Sequence, residues 1–194
     1  AAREPFFPDP DLPKGFRRVL PGDYRNTSTA MTRGHMCPHA DRAHSVKSGA
    51  ATFVMTNMVP QSHALNAGAW EKLERYLRGL AAGREANRPK ELYVVAGPHG
   101  QGGRSEKGAF KTTDGKVVVP EKCWKVALVL DAGPGDPMKR VDDRTRVLAV
   151  IMPNTLQPEN NDWVKYGVKL TEVEALTGYR FFDKAPAQVM DRLR

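Results

Sequence analysis

Two cysteines, Cys37 and Cys123, are all that 194 residues contain, which excludes a disulfide framework and leaves room for a single bridge. Long apolar runs are also missing: no stretch approaches the ~18 consecutive apolar residues that a membrane-spanning helix needs. The opening stretch AAREPFFPDP lacks the charged start and apolar centre of a signal peptide. Acidic residues are in deficit, 22 against 30 lysines and arginines, for a net charge of +8. Such a balance favours a polyanionic partner, because each phosphate neutralised by a cation releases condensed counterions. Internal repeats and linkers are absent, so the expectation is one domain over residues 1–194. Hydrophobic residues at 40% and charged residues at 27% fit ordinary globular usage.

Residues 1–30 are too rich in proline and glycine for long elements and read as an irregular arm packing Phe6, Phe7 and Phe16. ATFVMTNMVP (51–60) has the content of a buried strand. LNAGAWEKLERYLRGLAAG (65–83) places apolar residues at Ala69, Trp70, Leu73, Tyr76, Leu77 and Leu80, the spacing of an amphipathic helix stopped by Gly83. Residues 90–98, 116–131 and 145–154 read as strands, the middle one interrupted at Pro120. GPHGQGGRSEKG between them reads as a mobile surface turn, since its glycines lack the order of a phosphate-binding loop. Thr171 and Glu174 have the spacing of a capping box for a short helix ending at Gly178. Strands and helices do not alternate cleanly, so the expected class is α+β, a mixed, mainly antiparallel central sheet flanked by helices.

TRGHMCPHADR (32–42) carries the chemistry. If extended, it would direct His35, Cys37 and His39 to one side, with His44 closing a fourth zinc position. Pro38 between two of these candidates disfavours that reading, and hydrogen-bonded loop histidines are the plainer one. A catalytic reading draws in two residues from the next helix. Asn66 and Glu74 are eight apart, a rotation of only ~80° and a separation of ~12 Å on a continuous helix. An amide and a remote carboxylate acting through water suit Mg²⁺ on a phosphate better than zinc. His35 would then take a proton from water, and Arg33 would fork onto phosphate oxygens.

These residues resemble the DNA/RNA non-specific endonuclease family, the ββα-metal nucleases. TRGHMCPHAD is similar to the family's DRGHxxPxAD, and TNMVPQSHALNAGAWEKLE to its TNxxPQ…N…W..LE; weaker similarity runs from about Phe6 to Phe182. The resemblance implies a ββα-metal finger carrying the active site, with His35 as general base, Asn66 as direct Mg²⁺ ligand and Glu74 holding a metal-bound water. Arg33 matches the motif arginine, and Asn57 and Gln61 match polar residues that shape the site. It also implies hydrolysis of DNA and RNA with little sequence preference, leaving 5′-phosphate and 3′-hydroxyl ends; Mn²⁺ is a candidate substitute metal, and a protein inhibitor is a candidate partner that the sequence itself does not reveal.

Three departures accompany the resemblance. Thr32 stands where the family usually has Asp, a change associated with exonuclease-type relatives. The family's transition-state arginine falls near Arg3 in the arm, with Arg17, Arg18 and Arg25 as alternatives. Cys37 and Cys123 are candidates for one disulfide if the protein is exported, and a secreted or periplasmic location is expected because such an activity endangers its own cell. The competing reading is a basic nucleic-acid-binding protein with a degraded site. Oligomeric state is not legible in the sequence.

Overall fold

The computed structural model describes residues 6–24, 28–85 and 87–194. Its elements in chain order are β1 (Thr32–His35), α1 (Val46–Ala51), β2 (Met58–Gln61), α2 (His63–Asn66), α3 (Ala69–Ala81) and β3 (Lys90–His99). They continue as β4 (Gly103–Ser105), β5 (Gly108–Phe110), β6 (Thr112–Thr113), β7 (Val117–Val118), β8 (Lys122–Asp131), β9 (Arg146–Pro153), α4 (Leu170–Thr177) and α5 (Ala187–Leu193). The class is α+β as expected. A three-stranded antiparallel sheet, β3-β8-β9, forms the centre, and β1-β2, β4-β5 and β6-β7 are separate two-stranded ladders.

β8 is buried on both faces and therefore reads as a nearly unbroken apolar run. With the strand period of two, Cys123, Ala127 and Val129 join Trp70, Leu73, Leu77 and Leu80 of α3 on one face. Trp124, Val126, Leu128 and Leu130 pack on the other with Leu170 and Val173 of α4 and Met190 of α5. Lys125 belongs to the first series and is the exception to the apolar pattern: it is 2% exposed. A cation at that place requires a partner from α3.

Several expectations need correction. The helix expected over 65–83 is two helices, because the chain breaks at Gly68. A Cβ there would lie 2.2 Å from the Ala64 carbonyl oxygen and 2.5 Å from that of Pro158; this close approach marks the break, where Gly68 leaves helical geometry and α3 begins anew at Ala69. Asn66 and Glu74 are thus on different helices, and the single-helix geometry between them does not apply. Of the strand expected over 51–60, only the last three residues belong to β2, which runs from Met58 to Gln61; Val54 makes a single isolated bridge to Phe7. Residues 103–110 form the β4-β5 ladder, closed by the Gly103↔Phe110 and Ser105↔Gly108 pairs, in place of a mobile turn. Phe16 is 68% exposed and joins none of the hydrophobic clusters among the described residues. α4 starts earlier than the Thr171–Glu174 spacing suggested: Glu172 accepts the Lys169 backbone N–H at 2.9 Å. Glu174 instead accepts from the Phe181 N–H, 3.0 Å, and from Arg194, 3.1 Å.

Candidate active site

β1 lies antiparallel to β2 with Thr32 opposite Gln61 and His35 opposite Met58. Alternation along so short a strand puts Arg33 and His35 on one side, Thr32 and Gly34 on the other. The His35 ring stands edge-on to Phe53, centroids 5.3 Å apart, and 6.0 Å from Phe6. The Arg33 guanidinium lies over the same Phe6 ring, 4.2 Å from its centroid. Phe6 of the arm therefore holds both residues, and the His35 carbonyl accepts a hydrogen bond of 3.2 Å from the Trp70 indole. Gly34 is required sterically: a Cβ there would fall 1.9 Å from Gln61 Oε1, inside a fully buried side chain. Gly34→Ala is expected to lose about 1–3 kcal/mol through this overlap, read as a lower denaturation midpoint; an unchanged midpoint would mean that Gln61 has room to move.

Asn57 fixes the turn after β1. Its Oδ1 accepts the Cys37 N–H at 2.9 Å, and its Nδ2 donates to the carbonyls of Cys37, 2.9 Å, and Thr52, 2.8 Å. Cys37 and Cys123 are both free thiols, so the bridge considered for them is absent. Cys123 sits inside β8, where Gln61 Nε2 donates to its sulfur at 3.4 Å. Burial pushes its thiol up to about 12, and so unreactive a thiol is poorly suited to exchange.

Thr32 and Asn66 meet directly. Asn66 Nδ2 donates to Thr32 Oγ1 at 3.1 Å, and that hydroxyl donates to the Gln61 carbonyl at 2.9 Å. Among the described residues nothing donates to Asn66 Oδ1. A hard oxygen on a half-buried helix end is thereby left available.

Glu74 is buried on the sheet side of α3, where Lys125 Nζ donates to its Oε1 at 3.0 Å. The same ammonium lies 4.1 Å from the Trp70 ring centroid. Burial pushes the Glu74 carboxyl above the ordinary carboxylate range, and the charge and hydrogen bond of Lys125 pull it part of the way back. Lys125 thus contacts Glu74 on one side and, on the other, the tryptophan that anchors the His35 strand. It went unread in the sequence, although a lysine within WKVALVL was the available signal.

A cleft of about 930 Å³ opens beside Met36 and Cys37; His35 and Asn66 are outside its lining. Its cations are Arg42, Arg75, Arg78, Arg84 and Lys90, and Arg78 holds Asp41 at 3.0 Å. Arg78 was also missed, since one arginine on a charged helix carries no signal by itself. Arg3 and Arg25 lie outside the described residues. Arg17 donates to the Lys116 carbonyl at 2.8 Å and Arg18 to that of Pro10 at 3.1 Å, both exposed on the arm. The zinc arrangement does not assemble: among the described residues no three His, Cys, Asp or Glu side chains come together as a metal site. His39 Nδ1 lies instead 3.2 Å from the Gly49 carbonyl oxygen.

Comparison with known proteins adds to this geometry. Residues 1–188 match the family described as DNA/RNA non-specific endonuclease. A nuclease from Nostoc sp. (strain PCC 7120) is 43% identical over 185 residues, covering 95% of this chain and 61% of that protein. The mitochondrial nuclease EXOG of Xenopus laevis is 32% identical over 182 residues, covering 91% of this chain and 47% of its own. Human mitochondrial endonuclease G is 29% identical over 184 residues, 92% of this chain and 57% of its own. The chain therefore spans about half to three fifths of the length of these relatives. A chain from the crystal structure of the EndoG/EndoGI complex superposes with a TM-score of 0.72 at 25% identity, covering 94% of this chain and 70% of that one.

Proposed function

Because the chain belongs to the DNA/RNA non-specific endonuclease family, we propose that it hydrolyses phosphodiester bonds of DNA and RNA with Mg²⁺ and little sequence preference. The observation that carries this reading is the amide of Asn66, whose nitrogen is committed to Thr32 so that its oxygen is left for a cation. The donors fit Mg²⁺: a neutral amide oxygen, with Glu74 acting through water, leaves most positions to water and phosphate oxygens. Mn²⁺ would substitute in the same oxygen set. When bound, the ion supplies electrophilic stabilisation of the charge that builds on the phosphate and the departing oxygen.

The remaining chemistry belongs to the chain. Neutral His35 accepts a proton from water as its oxygen attacks phosphorus. The bond from phosphorus to the 3′-oxygen breaks, and that oxygen takes a proton from solvent, giving 3′-hydroxyl and 5′-phosphate ends. Phe53 and Phe6 restrict the imidazole to one orientation, and Trp70 fixes its backbone. Arg33 offers two N–H groups to the non-bridging oxygens; Asn57 and Gln61 keep the two strands in place. The net charge of +8 supplies sequence-independent attraction to the polyanion. A protein inhibitor is proposed as a further partner, by analogy with EndoG in its complex with EndoGI. No helix among the described residues is long and apolar enough to cross a membrane; export would keep the activity from the producing cell's own nucleic acid.

Supercoiled plasmid distinguishes the modes. Nicked and linear products with Mg²⁺, absent with EDTA, are expected; an intact plasmid beside degraded linear DNA would replace the endonuclease reading with an exonuclease one, and no cleavage of either would leave a binding protein. Asn66→Ala is expected to lower cleavage by about 100-fold or more at limiting Mg²⁺, and Glu74→Gln by about 10-fold, since it acts through water. The reverse order would make Glu74 the direct ligand.

A further inference from the structure

The amide of Asn66 has two ends of nearly equal shape, only one of which can bind a cation. Its orientation is settled outside the side chain itself. The Gln61 carbonyl, opposite Thr32 in the β1-β2 ladder, can only accept, so the Thr32 hydroxyl must give it its one proton. Thr32 Oγ1 then has only lone pairs to offer Asn66, and the amide must answer with its nitrogen. We propose that Thr32 is a positioning residue for the metal ligand: its hydroxyl, polarised by the Gln61 carbonyl, holds the Asn66 amide with its oxygen turned toward the cation. This rests on the reading of Asn66 as a Mg²⁺ ligand.

The relay assigns a purpose to the departure from the family's aspartate. A carboxylate could accept from Asn66, but it could not donate to the Gln61 carbonyl and would set a charge against that oxygen. A hydroxyl satisfies both neighbours without charge, so the amide oxygen stays oriented while the site loses one negative charge. The β-branch of threonine adds stiffness at χ1, which a strand favours. Valine keeps that shape and removes the hydroxyl; serine keeps the hydroxyl and removes the branch.

Calorimetric titration of Mn²⁺ into the nucleic-acid-free chain tests the assignment, with wild type, Thr32→Val, Thr32→Ser and Asn66→Ala compared alongside their melting points in EDTA. Thr32→Val is expected to weaken Mn²⁺ binding by about 10-fold or more, the usual effect of removing a hydrogen-bond partner of a ligand, at an unchanged melting point. Thr32→Ser should restore affinity to about that of wild type. In turnover, Thr32→Val should need more Mg²⁺ yet approach wild-type kcat at saturation, which a merely structural defect would not do. Equal Mn²⁺ affinity in Thr32→Val and wild type overturns the proposal. Wild-type affinity in Asn66→Ala would instead remove Asn66 as the ligand, a failure of the functional reading separate from that of Thr32.

Discussion

His35→Ala is expected to reduce plasmid cleavage by about 10²–10⁴-fold, the range attributable to a positioned proton acceptor, while leaving nucleic-acid affinity in EDTA nearly unchanged. The separation follows from geometry. His35 presents an imidazole against Phe53 and Phe6, while the proposed phosphate contact is the neighbouring Arg33, stacked on Phe6. The backbone at His35 is held by the Trp70 indole through its carbonyl, a contact that alanine retains. Truncation therefore leaves β1 in place and opens a space bordered by the two rings. Added imidazole should enter that space and restore part of the activity. Fluorescence anisotropy with labelled DNA reads the binding, and single-turnover kinetics read the chemistry. Turnover equal to wild type would sink the proposed mechanism, whereas equal losses of binding and turnover would make His35 a substrate contact.

Lys125→Met should be the most damaging single change to stability. The ammonium is 2% exposed and is the partner that holds Glu74 Oε1 at 3.0 Å. Removing one member of a buried pair leaves the other charge without compensation, at a cost of about 3–5 kcal/mol. In a chain of this size that lowers the melting midpoint by roughly 10 °C. The pH dependence has a definite sign. Burial already raises the Glu74 carboxyl, and Lys125 is the main influence lowering it; without the lysine it rises further. A carboxyl whose folded-state value lies above its unfolded value is tolerated while protonated and becomes a penalty as pH rises through the folded value. The deficit of Lys125→Met should therefore be small in acid and grow toward neutral pH. Lys125→Met combined with Glu74→Gln removes both charges and should recover most of the loss. A deficit that ignores pH in the single variant would mean that Glu74 binds protons alike in the folded and unfolded chains, so that Lys125 is not what keeps its carboxyl ionised.

The candidate residues of the site were legible in the sequence because they are written in consecutive stretches. A histidine between Arg33 and the Asn57–Gln61 segment, followed by Asn66 and Glu74, supplies the kinds of group that the proposed base, phosphate contact and oxygen ligands require. β3, β8 and β9 were legible because runs of apolar and β-branched residues can be buried only in a few ways. What the sequence could not show was how α2 and α3 part: the break at Gly68 exists because the segment around Pro158, some ninety residues later, comes within contact distance of it. The same holds for Lys125, which becomes the partner of Glu74 only when β8 packs against α3, and for Arg78, which lines a cleft only once the turn after β1 closes over it. By itself, then, the sequence determined which groups are candidates for the chemistry and which faces are apolar, since side-chain type and local period depend on neighbours in the chain. Tertiary structure alone decided which charge neutralises which and which way the Asn66 amide points, because those choices depend on contacts across distant segments that no local spacing records.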